Sequence, residues 1–309
     1  MTEWNERHHC LVCASADLKK VRTEKNSKSA NPDLKPYFER DSVLVACSKC
    51  EMAFVESIPA SSKFFSELYA GTDRDVSIDF NYSGKLSIFS QIKKTILKFK
   101  NNGELLDIGA GTGAFIYFMK DAFKTTGVEL GSAAREFACS KSLNVIAAPI
   151  EKLPFQNQQF DVVTVIDVLE HLTDPRQALD EIYRILKIEG LLYIKVPNYK
   201  IQALKQNVLN LFQLSSEGIM GNYVHINHFS PQSLREISKV SGFEVLENGF
   251  SESEMWNLKW KEAPHSYAYR LSRNIIIKLT SRILKTLSII FRLELGFNIY
   301  ILTRKVPRQ

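Results

Sequence analysis

Two acidic residues and a glycine-rich run form the strongest chemical signal in the chain. The segment LLDIGAGTG places Asp107 just before the loop 109–113, and Glu129 follows at the end of a second apolar run. Glycine has no Cβ, so a loop rich in glycine lets backbone amides approach a ligand closely. A carboxylate can accept hydrogen bonds from two ribose hydroxyls or from a ligand ammonium group. The pattern predicts a site for a nucleotide-like molecule.

Acids and histidines recur in two later segments where a proton could be transferred. Asp167, Glu170 and His171 are spaced so that they share one face of a helical turn. Further along, Tyr223 and His225 would point the same way if the chain is extended there. A neutral imidazole accepts a proton near pH 7. We therefore predict catalytic roles for His225, Tyr223 and His171, with His225 as the general base.

Four of the five cysteines lie in two identical motifs near the start of the chain. They are the two C-x-x-C pairs Cys10, Cys13, Cys47 and Cys50. Each pair can hold two corners of a tetrahedron, so together they predict a structural zinc site. Strands are predicted at 42–46 and 52–55, with the polar stretch 19–36 as a loop. Because four sulfur ligands close the site, we assign no catalysis to it.

Alternating apolar and amphipathic runs must position these residues. Near-continuous Val, Ile and Leu runs predict strands at 105–108, 125–130, 144–147, 160–166 and 190–196. Helical spacing separates them, and runs of this kind indicate a parallel sheet that is buried on both faces. The predicted fold class is α/β, a doubly wound and mostly parallel sheet with a small amino-terminal zinc-binding module.

The order of these motifs resembles the class I S-adenosylmethionine-dependent methyltransferases. Alone, Gly109, Gly111 and Ala114 also fit the dinucleotide pattern G-x-G-x-x-G/A, which would allow NAD. The glycine loop, the acid at 129 and the element EHLTDP recur in this family in the same order, over roughly residues 85 to 250. The resemblance implies a Rossmann-like sheet of seven strands, the last antiparallel and expected at 296–302. It implies methyl transfer (EC 2.1.1.-) as the activity.

The cofactor implied by this resemblance is S-adenosylmethionine. By analogy the glycine loop would lie against its amino-acid part, Glu129 would bind the ribose, and the residues around Ile150 would flank the adenine. The residues implied to bind the cofactor are Asp107, Gly109, Ala110, Gly111, Gly113, Glu129, Leu130, Ile150, Glu151 and Asp167.

Three functions are compatible with these motifs. The first is methyl transfer to a small or glycan-type acceptor. A zinc module ahead of the domain and a histidine-bearing insertion after the fifth strand resemble bacterial methyltransferases of nucleotide-linked sugars, so a nucleotide- or lipid-linked sugar is expected. The second is a metal-assisted O-methyltransferase on a phenolic or quinone-type acceptor, with Asp167, Glu170 and His171 binding a cation together with His225 or His228. The third is a non-catalytic cofactor-binding protein that recruits a partner.

Charge and hydropathy limit the expected partners and the expected cellular location of the protein. The chain of 309 residues has a formal net charge of +6, with its basic residues concentrated after Arg270. Nucleic acid is not expected as a partner because the excess positive charge is confined to this segment. One apolar and one basic face predict a helix at 270–292 that either packs on the sheet or contacts a membrane surface. Neither a secretory signal nor a membrane-spanning run is found, so we expect a cytoplasmic protein, peripheral at the inner membrane surface if that helix binds lipid.

The chain is expected to divide into three parts. Residues 1–72 would form the zinc-binding module, and residues 73–262 the methyltransferase core with an insertion after the fifth strand. Residues 263–309 would supply the basic helix and the final antiparallel strand that completes the core.

Overall fold

The structure, a computed structural model, describes most of the chain in six pieces. These are residues 3–24, 34–61, 64, 85–211, 225–251 and 296–308. The predicted catalytic Tyr223 and the predicted helix at 270–292 lie outside these residues.

The amino-terminal part of the chain forms two small antiparallel sheets around the cysteines. Its strands are β1 (Trp4–Glu6), β2 (Leu18–Glu24), β3 (Ser42–Cys47), β4 (Ala53–Val55) and β5 (Ser57–Pro59), with the short helix α1 (Lys35–Phe38) before β3. Strand β1 pairs with β5, while β2, β3 and β4 form a meander. The strands predicted at 42–46 and 52–55 are confirmed as β3 and β4.

Strand β2 replaces the first part of the loop predicted at 19–36, so that prediction is wrong. The strand pairs antiparallel with β3 and lies at the edge of its sheet. Lys19, Lys20 and Val21 are exposed. An edge strand tolerates polar side chains because solvent covers much of its surface, so a polar composition does not exclude a strand there.

Seven strands form the main sheet. They are β6 (Glu104–Ile108), β7 (Lys124–Val128), β8 (Val145–Ile146), β9 (Phe160–Ile166), β10 (Leu186–Pro197), β12 (Phe243–Ser251) and β13 (Asn298–Lys305). One short strand between them in the chain, β11 (Asn227–His228), joins the sheet of β2, β3 and β4 instead. The main sheet has the order β12-β13-β10-β9-β6-β7-β8, and β13 runs antiparallel to both of its neighbours. The predicted doubly wound α/β sheet with an antiparallel last strand is confirmed.

Helices precede or connect the strands of the main sheet. They are α2 (Leu86–Leu97), α3 (Ala114–Met119), α4 (Ser132–Ser140), α5 (Pro175–Ile185), α6 (Tyr199–Leu211) and α7 (Pro231–Val240), with a 3₁₀ turn at Leu169–His171. Two of them begin at strong local signals. Asp174 caps α5 by accepting from the next two free amides, and Ser230 forms a capping box at the start of α7, each with proline following.

Both faces of the main sheet are buried. Neighbouring residues of one strand enter different hydrophobic clusters: Leu105 and Leu106 in β6 do so, and so do Val162 and Val163 in β9. Successive side chains of a strand point to opposite faces, so this division places apolar packing on each side of the sheet. The sheet is therefore a rigid support for residues at its edge.

Strand β11 joins the amino-terminal module to the main domain. It pairs with β4, Asn227 lying opposite Phe54. The buried side chain of Arg7 donates to the carbonyl oxygens of Val55 and Ile226 and to Oδ1 of Asn227. The division at 1–72, 73–262 and 263–309 stays a prediction, and β11 is the link between its first two parts.

Within the described residues, the structure holds no helix that is both long enough and apolar enough to cross a membrane.

Candidate functional site

The glycine loop makes a sharp turn between β6 and α3. Gly109, Gly111 and Gly113 have φ angles of 76°, 52° and 78°, a region that glycine adopts without the strain of a Cβ. A side chain at 109 would collide with Val168, whereas a Cβ at 111 would meet nothing within 4 Å. Gly109 is therefore required for close packing, and Gly111 borders open space that a ligand can enter.

The carboxylate of Glu129 lies across the glycine loop. It accepts hydrogen bonds from the backbone N–H groups of Gly111, at 2.8 Å, and Gly131, at 2.7 Å. The next residue, Leu130, is 67% exposed. A carboxylate with an exposed apolar neighbour at the end of a parallel strand suits a ribose and the base attached to it.

Asp107 is buried beneath this loop. Its Oδ1 accepts a hydrogen bond of 2.6 Å from the hydroxyl of Thr164 on β9. Burial, and to a smaller extent the charge of Glu129, raise the pKa of Asp107 to about 7, although the hydrogen bond from Thr164 lowers it. A cation placed nearby would favour the ionised carboxylate.

The predicted cofactor residues are brought to one edge of the main sheet. Strands β6, β7 and β8 are adjacent and parallel, so their carboxyl ends are neighbours. These ends are followed, in turn, by the glycine loop, by Glu129 with Leu130, and by the segment that leads to Ile150. Ile150 is buried and Glu151 is partly exposed. Ligands of doubly wound sheets bind at such an edge. The donor set, the open space at Gly111 and the exposed Leu130 fit a nucleoside carrying an amino-acid group.

Asp167 directly follows β9 and has an unusual backbone conformation. Its φ is 56°, and its carboxylate forms an ion pair with Lys195 of β10, which is 1% exposed. The ion pair holds a strained residue in place at the sheet edge. Lys195 was not among the predicted site residues, although a single lysine inside the apolar run LLYIKV was a usable signal.

Glu170, His171 and His225 meet directly beyond Asp167. One possible ligand atom from each residue lies within 4.8 Å of those from the other two, and Oε1 of Glu170 lies 4.0 Å from Nε2 of His171. The rings of His171 and His225 meet edge to face, with centroids 4.8 Å apart. The N–H of Ile226 donates to the carbonyl of Glu170 at 3.1 Å. Two predicted catalytic residues, distant in sequence, are thus neighbours.

Burial controls the charge of this cluster. The side chain of Glu170 is 2% exposed, and within the described part of the chain neither of its carboxyl oxygens has a hydrogen-bond partner. Burial, and then the nearby charge of Asp167, raise the pKa of Glu170 well above its usual range. Burial, with smaller contributions from His171 and His228, lowers the pKa of His225 to about 3. Near neutral pH His225 is therefore a neutral imidazole.

The four cysteines meet in the amino-terminal module. Sγ of Cys10 lies 3.4 Å from Sγ of Cys50, and Sγ of Cys13 lies 3.6 Å from Sγ of Cys47. Zinc–sulfur bonds of about 2.3 Å place the sulfurs of a tetrahedral site about 3.8 Å apart. All four sulfurs lie in one cluster within 4.8 Å of each other, so the residues fit a zinc ion.

The two C-x-x-C motifs fold into the same turn. The N–H of Ala14 donates to the carbonyl of Cys10 at 2.9 Å, and the N–H of Glu51 donates to the carbonyl of Cys47 at 3.0 Å. Ala14 and Glu51 both have positive φ angles, 56° and 61°. The repeated spacing in the sequence therefore produces a repeated backbone geometry, which presents two sulfurs from each turn.

Comparison with known proteins identifies a family. Residues 83–248 match the family described as methyltransferase domain. An uncharacterised protein of Methanocaldococcus jannaschii is 35% identical over 174 residues, which are 55% of this chain and 68% of that protein. A ubiquinone biosynthesis O-methyltransferase of Pseudomonas entomophila is 27% identical over 153 residues, 46% of this chain and 65% of that protein. The chain thus spans about two thirds of the length of these relatives.

One solved structure adds a comparison of the fold. A chain in the complex of the Haloferax volcanii Trm112 methyltransferase activator with a methyltransferase superposes with a TM-score of 0.50 at 15% identity. The superposition covers 79% of this chain and 98% of that chain. The likeness concerns the fold alone.

Proposed function

This chain belongs to the methyltransferase domain family, and on that premise we propose that it transfers a methyl group from S-adenosylmethionine to a small-molecule acceptor. The family and the fold support S-adenosylmethionine as the cofactor. The observation that carries the proposal is the position of Glu129, whose carboxylate lies across a glycine loop at the edge where parallel strands end.

The chain's own residues divide the binding of the cofactor between them. S-adenosylmethionine, when bound, supplies the methyl group on a sulfonium. Glu129 would exchange its bonds to backbone amides for bonds to the ribose hydroxyls. Asp107, below the loop, would supply negative charge for the ammonium group. Leu130, with Ile150 and Glu151, would contact the adenine.

The acceptor is proposed to bind beside Glu170, His171 and His225. Val168 packs against Gly109, so the segment that carries Glu170 and His171 adjoins the glycine loop. With S-adenosylmethionine bound, a nucleophilic atom of the acceptor would take the methyl group from the sulfonium, and the proton that this atom releases would pass to the cluster and then to solvent. His225 is the proposed proton acceptor, and His171 lies in ring contact with it. Because burial lowers the pKa of His225 to about 3, the imidazole would hold the proton only transiently and pass it on to solvent.

Two classes of acceptor are proposed, on different support. Relatives with a named activity include a ubiquinone biosynthesis O-methyltransferase and a ubiquinone/menaquinone biosynthesis C-methyltransferase, which supports a phenolic or quinone-type ring. A glycan-type acceptor, such as a nucleotide- or lipid-linked sugar, is supported by a resemblance to bacterial methyltransferases of nucleotide-linked sugars. That resemblance rests on the zinc module and the histidine-bearing insertion. The four cysteines are proposed to hold a structural zinc ion.

Cofactor binding is tested by calorimetric titration with S-adenosylmethionine. The variant Glu129→Gln keeps the shape of the side chain but loses the charge, and we expect its affinity to fall about tenfold or more, or about 1.4 kcal/mol. Glu136→Gln, an exposed position on α4, is the matched control. Equal affinity of Glu129→Gln and the wild type would contradict the proposed ribose contact.

Methyl transfer is tested by the release of S-adenosylhomocysteine with a panel of phenolic and sugar acceptors. His225→Ala is expected to lower turnover by about 10²-fold while leaving cofactor affinity unchanged. His8→Ala, at an exposed histidine, is the control. Parallel loss of turnover and cofactor affinity would refute the role of His225. Cofactor binding without turnover on any acceptor would favour the non-catalytic alternative.

A further inference from the structure

We propose that Glu170, His171 and His225 bind a divalent transition-metal ion, at a site separate from the four cysteines. The binding of the ion stands on the geometry of these three residues, and only its part in catalysis rests on the proposed function. A bound ion would take up the imidazole lone pair of His225, so the metal site excludes His225 as the proton acceptor proposed above. The binding of S-adenosylmethionine at Glu129 does not depend on the ion, so the cofactor proposal and the metal proposal can fail independently.

The donor set suits such an ion. One carboxylate and two imidazoles are the protein ligands of several catalytic zinc sites and of non-haem iron sites. Three protein ligands leave at least one coordination position for water or for a bound molecule. A set of four thiolates leaves none. The cluster therefore has the composition of an open site.

The spacing requires only small movements of the side chains. Bonds of about 2.1 Å place tetrahedral ligand atoms about 3.4 Å apart. Oε1 of Glu170 and Nε2 of His171 are 4.0 Å apart, and all three ligand atoms lie within 4.8 Å of one another. Rotation of the side chains by about 1 Å at their ends would bring the three atoms into bonding distance.

The buried carboxylate of Glu170 provides an independent observation. It is 2% exposed, and neither oxygen has a hydrogen-bond partner within the described residues. A buried carboxyl without partners is costly, by about 1–3 kcal/mol or more. Lys195, the buried cation nearby, is paired with Asp167. A bound divalent cation would satisfy the carboxylate at this position.

The backbone holds the ligands in place from both sides. Besides the bond from the Ile226 N–H to the Glu170 carbonyl, Nδ2 of Asn227 donates to the carbonyl of Leu172 at 2.6 Å and to that of Leu169 at 3.3 Å. These bonds join the segment of His225 to the 3₁₀ turn that carries Glu170 and His171. Preorganised ligands of this kind favour metal binding.

Native mass spectrometry of the full chain in the presence of Zn²⁺ tests the proposal by counting the ions bound. We expect two ions for the wild type, and one ion for Glu170→Gln and for His225→Ala. The controls His8→Ala and Glu136→Gln remove an exposed histidine and an exposed acid, and both should retain two ions. A thermal unfolding scan of each variant shows that it is folded.

The outcomes separate this proposal from the proposed function. A single ion in the wild type, or two ions in both Glu170→Gln and His225→Ala, would overturn the metal site while leaving the binding of S-adenosylmethionine in place. Two ions in the wild type and one in both variants would support the site even if no methyl acceptor is found. If Glu170→Gln does not fold, the comparison of His225→Ala with His8→Ala decides the result.

Discussion

The amino-terminal module and the carboxyl edge of the main sheet differ in how their buried polar groups are paired and charged. In the module, Arg7 donates to three different acceptors, and the four cysteines converge on one point. At the sheet edge, burial raises the pKa of both Asp107 and Glu170. Arg7 is paired with acceptors of the fold itself, whereas burial disfavours the ionised form of Asp107 and Glu170, which is typical of groups that meet a ligand. Substitutions in the two regions should therefore have different signatures.

The largest effect is expected at the cysteines. Cys47→Ser removes one of the four sulfurs that are proposed to bind zinc, and structural zinc contributes about 10 kcal/mol or more to the folding of small zinc domains. We expect loss of the zinc and unfolding of the module, seen as a lower ion count and a lower thermal midpoint. Cys139→Ser, at an exposed cysteine outside the cluster, is the matched control. If Cys47→Ser keeps both the zinc and the stability of the wild type, the proposed zinc site and its contribution to the stability of the module are contradicted.

The next effect is expected at Arg7. Arg7→Met keeps an apolar stem but leaves the carbonyls of Val55 and Ile226 buried without this donor, at a cost of roughly 3 kcal/mol. Arg40→Met removes a half-exposed arginine of the same module, with an expected cost below about 1 kcal/mol. Chemical denaturation measures both. Equal losses for the two variants would show that the buried position has no special role.

A smaller effect, with a defined dependence on pH, is expected at Asp107. Its pKa is raised to about 7, so the folded protein keeps a proton that the unfolded chain releases near pH 4. The free energy of unfolding should therefore decrease as pH rises from 5 to 8, by on the order of 2 kcal/mol from this group. Asp107→Asn should remove that part of the dependence.

The control for Asp107 is another acid of the main sheet. Asp161 lies beside Lys100 and Lys187, and these lysines hold its pKa below the usual range. Asp161→Asn should change stability equally at pH 5 and pH 8. Urea unfolding of the wild type and both variants at the two pH values makes the comparison. An unchanged pH dependence in Asp107→Asn would assign the effect to other groups.

The smallest effect is expected at Leu130, and it should be confined to binding. Leu130→Ser should weaken the binding of S-adenosylmethionine by roughly tenfold, since the side chain is 67% exposed and lies beside Glu129. Stability should stay within about 0.5 kcal/mol of the wild type. Leu86→Ser, at a leucine that is 50% exposed, is the control. It should change neither the free energy of binding S-adenosylmethionine nor the free energy of unfolding by more than about 0.5 kcal/mol. If calorimetry shows a weaker affinity than that of the wild type in both variants, the proposed contact between Leu130 and the adenine is contradicted.

The main sheet was predictable because its signals are local. The strand predicted at 160–166 begins and ends where β9 does, since it is an apolar run buried on both faces. The glycine loop and the two C-x-x-C turns follow from residue types at fixed spacing. The edge strand β2 was missed because its stability comes from pairing with β3 rather than from its own composition.

The proximity of His171 and His225 depends on contacts between distant segments, which the spacing of residues along the sequence does not reveal. The two histidines were predicted as catalytic candidates from separate segments, and the metal-assisted alternative joined them without deciding between His225 and His228. Their proximity follows from the pairing of β11 with β4 and from the bonds of Arg7 and Asn227, all of which join distant segments. Arg7 itself offered no signal, because a single arginine near the start of a chain is ordinarily exposed.

The bond from Arg7 to Asn227 also bears on how the protein is made. The two residues are separated by 220 positions, and β4 gains its second neighbour only when β11 is available. At a synthesis rate of about 5–20 residues per second, the first part of the chain waits roughly 10 to 45 s for these partners. During that interval one edge of a small sheet stays uncovered on the ribosome, which is a hazard for pairing with another nascent chain. We therefore expect the module to complete its folding together with the methyltransferase domain rather than before it.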